Sequence, residues 1–144
     1  MIKVQCKHND PSNIPIGIPD NFDYGLELGK IYLVMGILTF KLSNNIYFLI
    51  DESGRPSWFP FQLFEILHNT LPTNWFLKIN MGDEYVDYRN LVGFEELCNK
   101  EGFFNRLLER DEEAMNTYFR RKVELEKSIE LEEGPASPLW RDSF

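Results

Sequence analysis

Alternating apolar and polar positions dominate the first two thirds of the chain, and a helical period replaces them in the last third. Ile2 to Cys6 (IKVQC) alternates as a short strand. Residues 9–21 (NDPSNIPIGIPDN) carry three prolines among turn-forming asparagines, which predicts a long surface loop. From Leu26 the run LELGKIYLVMGILTFKL returns to strand character, with Leu26, Leu28, Ile31 and Leu33 pointing inward on either side of a turn or bulge at Gly29. Ser43, Asn44 and Asn45 signal a tight turn, because Asn tolerates the left-handed backbone that hairpins need. Residues 31–42 and 46–51 are therefore predicted to pair.

Asp51, Glu52, Ser53 and Gly54 form the next predicted turn, and Pro56 presets the backbone so that Ser57, Trp58 and Phe59 return as a third strand. Pro60 has no N–H to give a sheet but suits the start of a helical turn. PFQL is thus read as one short turn before FEIL resumes an extended path. After a loop at Leu71–Asn74, WFLKIN and YVDYRNLV flank MGDE as a second hairpin with Gly82 in its turn. FEELCN and GFFNRLLER then read as short helices broken at Gly102, with a longer helix from about Asp111. Asp111, Glu112 and Glu113 suit the positive end of that helix, and Met115, Phe119 and Val123 fall four apart on one face, beside Tyr118. That face is expected to pack on the sheet. The helix is expected to stop before Gly134 and Pro135.

These elements predict one α+β domain over residues 1–133, mainly β to residue 92 and helical from 93 to 133, with 134–144 as a flexible tail. A division near Val92 into two units is the alternative. At 144 residues the chain is long enough to bury a core without a covalent staple. Its 15% aromatic content makes rings the expected material of that core. The two cysteines, Cys6 and Cys98, are far apart and read as free thiols rather than a disulfide framework. MIKVQCKHND lacks a signal pattern, and no apolar run approaches the ~18 residues of a membrane span. The expectation is a cytoplasmic protein.

Net charge is −8 and the acidity grows along the chain, from −1 over residues 1–60 to −4 over 101–144. Nucleic-acid affinity rests on cations at phosphates, so this balance argues against a DNA or RNA binder and toward a basic protein partner. Cys6-x-His8 is the one local pair with transition-metal ligand chemistry. A second pair is missing, so neither a metal nor another cofactor is expected. There is no Gly-x-Ser-x-Gly elbow, phosphate-binding glycine loop or dinucleotide fingerprint. Carboxylates gather at Asp51 with Glu52 and at Asp83, Glu84 and Asp87, in predicted turns. Glycosidase chemistry needs two opposed carboxyls across a cleft, which neighbours in a turn do not supply. They fit better as solubilising tips or as a docking surface that steers a basic partner. Trp58, Phe59, Trp75, Tyr85, Tyr88 and Trp140 are candidate interface anchors, most of them expected in the core.

The run SWFPFQLFEIL resembles the closing segment of Src-homology-3 (SH3) domains, where an aromatic and a proline lead through a 3₁₀ turn into the last strand. Trp58, Phe59 and Pro60 fit that order, whereas Leu63 stands where the family has Tyr, so its proline-rich peptide groove is not carried over. Over residues 1–67, IKVQC, LELGKIYLV, YFLIDESGRPSWFP and LFEI are similar to small bacterial and phage SH3-like barrel proteins of unsettled function. The resemblance implies an N-terminal SH3-like small β-barrel, to which this chain adds a hairpin and a C-terminal helical layer. The functional expectation is a non-enzymatic protein-binding module of the immunity or inhibitor kind. Asp51, Glu52, Arg55, Trp58, Asp83, Glu84 and Asp87 are its candidate contact residues. A carboxylate-dependent hydrolase using His68, or a self-associating assembly component, is the alternative.

Overall fold

Eight strands precede three helices in a computed structural model that describes residues 1–8 and 24–133. The predicted loop over 9–21 and the predicted tail from 134 lie outside the described residues. The strands are β1 (Ile2–Cys6), β2 (Ile31–Leu33), β3 (Gly36–Phe40), β4 (Ile46–Glu52), β5 (Arg55–Pro60), β6 (Phe64–Asn69), β7 (Phe76–Ile79) and β8 (Tyr88–Gly93). A 3₁₀ turn, Phe61–Leu63, joins β5 to β6, and the helices are α1 (Glu95–Asn99), α2 (Phe103–Leu108) and α3 (Glu112–Glu133). All pairings are antiparallel and form two sheets, β2-β1-β6 and β5-β4-β3-β8-β7.

The five-stranded sheet is the middle layer. One face packs on the three-stranded sheet through Val4, Tyr32, Val34, Phe48, Ile50, Phe59 and Leu63. The other packs on the helices through Leu38, Leu49, Leu91, Phe94, Leu97, Phe103, Leu107 and Tyr118. Strand β4 explains why IYFLI reads as an unbroken apolar run: successive side chains point to opposite faces, and both faces are covered. Phe48 and Ile50 enter one core and Leu49 the other.

The structure is α+β, but its two sheets are not closed into a barrel. Predicted residues 31–42 do not form one strand. The Val34 N–H bonds the Ile2 carbonyl at 2.9 Å in the first sheet, and the next N–H, of Met35, bonds the Leu49 carbonyl at 2.8 Å in the second. One peptide therefore passes the chain between layers. The 3₁₀ turn at residues 61–63 does the same between β5 and β6. Leu26 is buried outside any strand and Leu28 is exposed, so the run becomes a strand only at Ile31, after a left-handed Gly29. The second hairpin, β7 with β8, is not separate either, because β8 pairs with β3 and widens the middle sheet.

Gly36 and Gly93 are register partners on β3 and β8 beneath α1. A Cβ at either would come within 2.8 Å or 2.6 Å, respectively, of Leu97 Cδ2, so the glycine pair lets α1 seat Leu97 on the sheet. On α3 the buried face is Ala114, Thr117 and Tyr118, not Met115, Phe119 and Val123, and Val123 is half exposed. Small Ala114 and Thr117 let the helix approach closely, and the large residues counted by period flank that contact. The 7% exposure of Phe59 places its ring in the core between the sheets. Phe59→Ala is expected to cost about 3 to 5 kcal/mol in a urea unfolding curve; a loss under ~1 kcal/mol would place the ring outside the cooperative core.

Candidate functional site

Strand β4 ends in two carboxylates, and the pleat sends them to opposite layers. Asp51 faces the helices, where it accepts a 2.8 Å hydrogen bond from the Tyr118 hydroxyl and bonds of 2.8 and 2.9 Å from Lys122 Nζ. Glu52 faces the other sheet, where it accepts a hydrogen bond from the Tyr32 hydroxyl and bonds of 3.2 and 3.3 Å from Lys30 Nζ. Each is thus held by one tyrosine and one lysine. They are strand residues rather than tip residues, since the hairpin turn narrows to Ser53 and Gly54, both left-handed. They do not face each other across a cleft, which is the arrangement two-carboxylate hydrolysis needs. A ring nitrogen of His68 lies 2.9 Å from the Met1 carbonyl oxygen.

Charge and burial shape these groups in opposite senses. The Tyr32 hydrogen bond, aided by Lys30, holds the Glu52 carboxyl below its usual value of 4.5. Burial pushes the Tyr118 hydroxyl well above its usual value, and the neighbouring Asp51 charge adds to this. On α1, burial opposes the Glu96 charge, yet the bidentate Arg121 at 2.8 and 3.0 Å, with Arg120, outweighs it and lowers the Glu96 carboxyl. Cys6 and Cys98 are both free and buried, in different cores. Burial raises the Cys98 thiol to about 11, which suits a packing role.

Asp83, Glu84 and Asp87 are exposed, on the loop between β7 and β8. Asn80 builds that loop. Its Oδ1 accepts the N–H groups of Gly82 and Asp83, and its Nδ2 donates to the carbonyls of Asp83 and Tyr88. Lys41 donates from Nζ to the Asp83 carbonyl at 2.7 Å and from its N–H to the Asp87 carbonyl, which sets the turn after β3 against this loop. At this end of the molecule Leu42 is 100% exposed, Met81 90% and Tyr85 94%, with Leu77 and Ile79 also more than half exposed. Leu77, Ile79, Asn80, Lys41 and Arg89 line a shallow groove of about 660 Å³. The Lys41 and Arg89 cations spend hydrogen bonds on main-chain carbonyls, whereas the Glu84 and Asp87 carboxylates are exposed and have no hydrogen-bond or ion-pair partner among the described residues.

The two outer strands of the wide sheet are treated differently. On β5, Pro56, Trp58 and Pro60 stand at positions whose main-chain groups point away from β4, so two outward N–H donors are absent. Arg110 donates to the Pro56 carbonyl and covers that acceptor as well. This edge is blunted against pairing. Strand β7 has no proline and all four of its residues are exposed. Arg55 is exposed on β5, while Trp58 is half-buried and its ring packs 5.8 Å from that of Phe104.

Among the described residues, no three His, Cys, Asp or Glu side chains converge as a metal site and no helix is long and apolar enough to cross a membrane. The chain matches no known family, curated protein or solved structure. Of the candidate anchors among the described residues, Tyr85 is the fully projecting ring and Phe59 and Tyr88 are core, while Trp140 lies outside the described residues. Sequence reasoning missed Leu42, Leu77, Ile79 and Met81 as surface residues and Asn80 as their organiser; an Asn directly after a strand is the Asx-turn signal that marks it.

The lowered Glu52 and Glu96 carboxyls link stability to pH. Because their folded values lie below 4.5, the unfolded chain takes up protons first. Their contribution is complete above pH 4.5 and is lost as pH falls through the folded values. Thermal unfolding followed from pH 7 downward should show this decline, with a shallower slope in Glu52→Gln; identical slopes for the two proteins would show that Glu52 is not held below its usual range.

Proposed function

We propose that the protein is a non-enzymatic protein-binding module that contacts its partner with the β7–β8 end of the wide sheet. One observation carries the reading: Leu42, Leu77, Ile79, Met81 and Tyr85 are all more than half exposed at the same end, beside Asp83, Glu84 and Asp87. Contiguous exposed apolar surface with a polar rim is the usual mark of an interaction site. Tyr85 and Met81 are residue types enriched in interface cores. The carboxylates favour a basic partner and raise the rate of encounter more than the final affinity. A protein that neutralises one specific target, as immunity and inhibitor proteins do, fits this acidic surface.

Of the seven contact residues expected from sequence, this reading keeps Asp83, Glu84 and Asp87 and gives Asp51 and Glu52 structural work. An SH3-like ancestry for residues 1–67 is part of the proposal, supported by the strand, 3₁₀ turn and strand of residues 55–69. A photo-crosslinking residue at position 85 should capture one polypeptide that the same residue at position 28, on the far turn, does not. With that partner purified, Met81→Ala with Tyr85→Ala should weaken binding by about 30-fold or more, the ~2 kcal/mol of a hot spot. Reversing Asp83, Glu84 and Asp87 to Lys should slow association chiefly at low salt. Unchanged affinity and rate in both variants would move the contact surface elsewhere.

A further inference from the structure

A second surface, independent of the hairpin end, lies along the outer edge of β5. It is a cleft of about 500 Å³ whose walls include Glu52 and Ser53 before the strand, Arg55, Ser57 and Trp58 on it, and Arg110 from the junction of α2 and α3. Glu52 is already engaged by Lys30 and Tyr32. The remaining ionic groups are both cationic.

Two features of this cleft point to a ligand. First, on a chain of net charge −8, Arg55 and Arg110 line one cleft together and neither has a carboxylate partner among the described residues. Second, Arg110 sits at φ 63°, left-handed backbone that ends α2 and that glycine would adopt without strain. Keeping arginine there aims a guanidinium at the β5 edge, where its described bond, to the Pro56 carbonyl, uses one of its five N–H donors.

We propose that this cleft binds an oxyanion, a carboxylate or a phosphate group, between Arg55 and Arg110. Guanidinium forks match both groups in geometry and charge.

The test is a ¹H–¹⁵N NMR titration of the full chain that follows the Trp58 indole signal, assigned by its loss in Trp58→Phe. Sodium phosphate and sodium benzoate are the two probes, and sodium chloride controls for ionic strength. A saturating shift with phosphate, with benzoate or with both supports the site and names the favoured oxyanion. Arg55→Gln and Arg110→Gly should each weaken it about tenfold or more. Glycine takes the left-handed position readily and Arg55 is exposed, so both variants are expected to keep a dispersed spectrum. The proposal is overturned if neither probe gives a saturating shift, if chloride reproduces it, or if both variants titrate like the parent protein.

Discussion

Two consecutive carboxylates at the end of β4 tie three layers together. Asp51 holds α3 through Tyr118 and Lys122, and Glu52 holds the three-stranded sheet through Tyr32 and Lys30. The pleat alone sends neighbours to opposite faces, so one dipeptide reaches both layers. The Asp51 side chain is only 12% exposed, and a buried charge is tolerable when its partners supply enough hydrogen bonds. Removing one member of such a pair costs far more than replacing the pair, because the survivor stays buried without a partner. The clamp therefore fixes geometry: α3 and the small sheet have defined seats on the wide sheet in addition to apolar contact.

The exposed surface follows from that layering. A three-stranded sheet covers part of a five-stranded one, and its contacts run through β4, β5 and the 3₁₀ turn. Strand β7, at the other end of the wide sheet, pairs only with β8 and receives α1 on one face, which leaves Leu77 and Ile79 beyond the small sheet. The blunted β5 edge and the open β7 edge make the molecule asymmetric. One edge carries prolines and an arginine cap; the other carries apolar side chains and ends in an acidic loop.

Much of the local structure was legible because local chemistry decides it. The pairing of residues 36–39 with 46–49, the 3₁₀ turn after Pro60, the β7–β8 hairpin and the break at Gly102 all rest on Pro, Gly, Asn and short-range periodicity. The division of residues 31–42 between two sheets was not, because Val34 and Met35 take their carbonyl partners from Ile2 and Leu49, one in each sheet. Nor was the work of Asp51, whose partners Tyr118 and Lys122 lie 67 and 71 residues away. At the candidate site the acidic residues could be read in advance, since polar turns are surface signals, whereas Tyr85 stood among rings mostly expected in the core. Leu42 and Met81 could not: an apolar residue in sequence looks like core until the sheet widths are known.

The central claim is that Asp51 and Glu52 secure different layers. Amide hydrogen exchange of Asp51→Asn and Glu52→Gln, compared with the parent protein, tests it directly. Asp51→Asn should speed exchange along α3 and spare β1 and β2, whereas Glu52→Gln should speed exchange in β1 and β2 and spare α3. Equal loosening of both layers by either variant, or no change in either, would contradict the account.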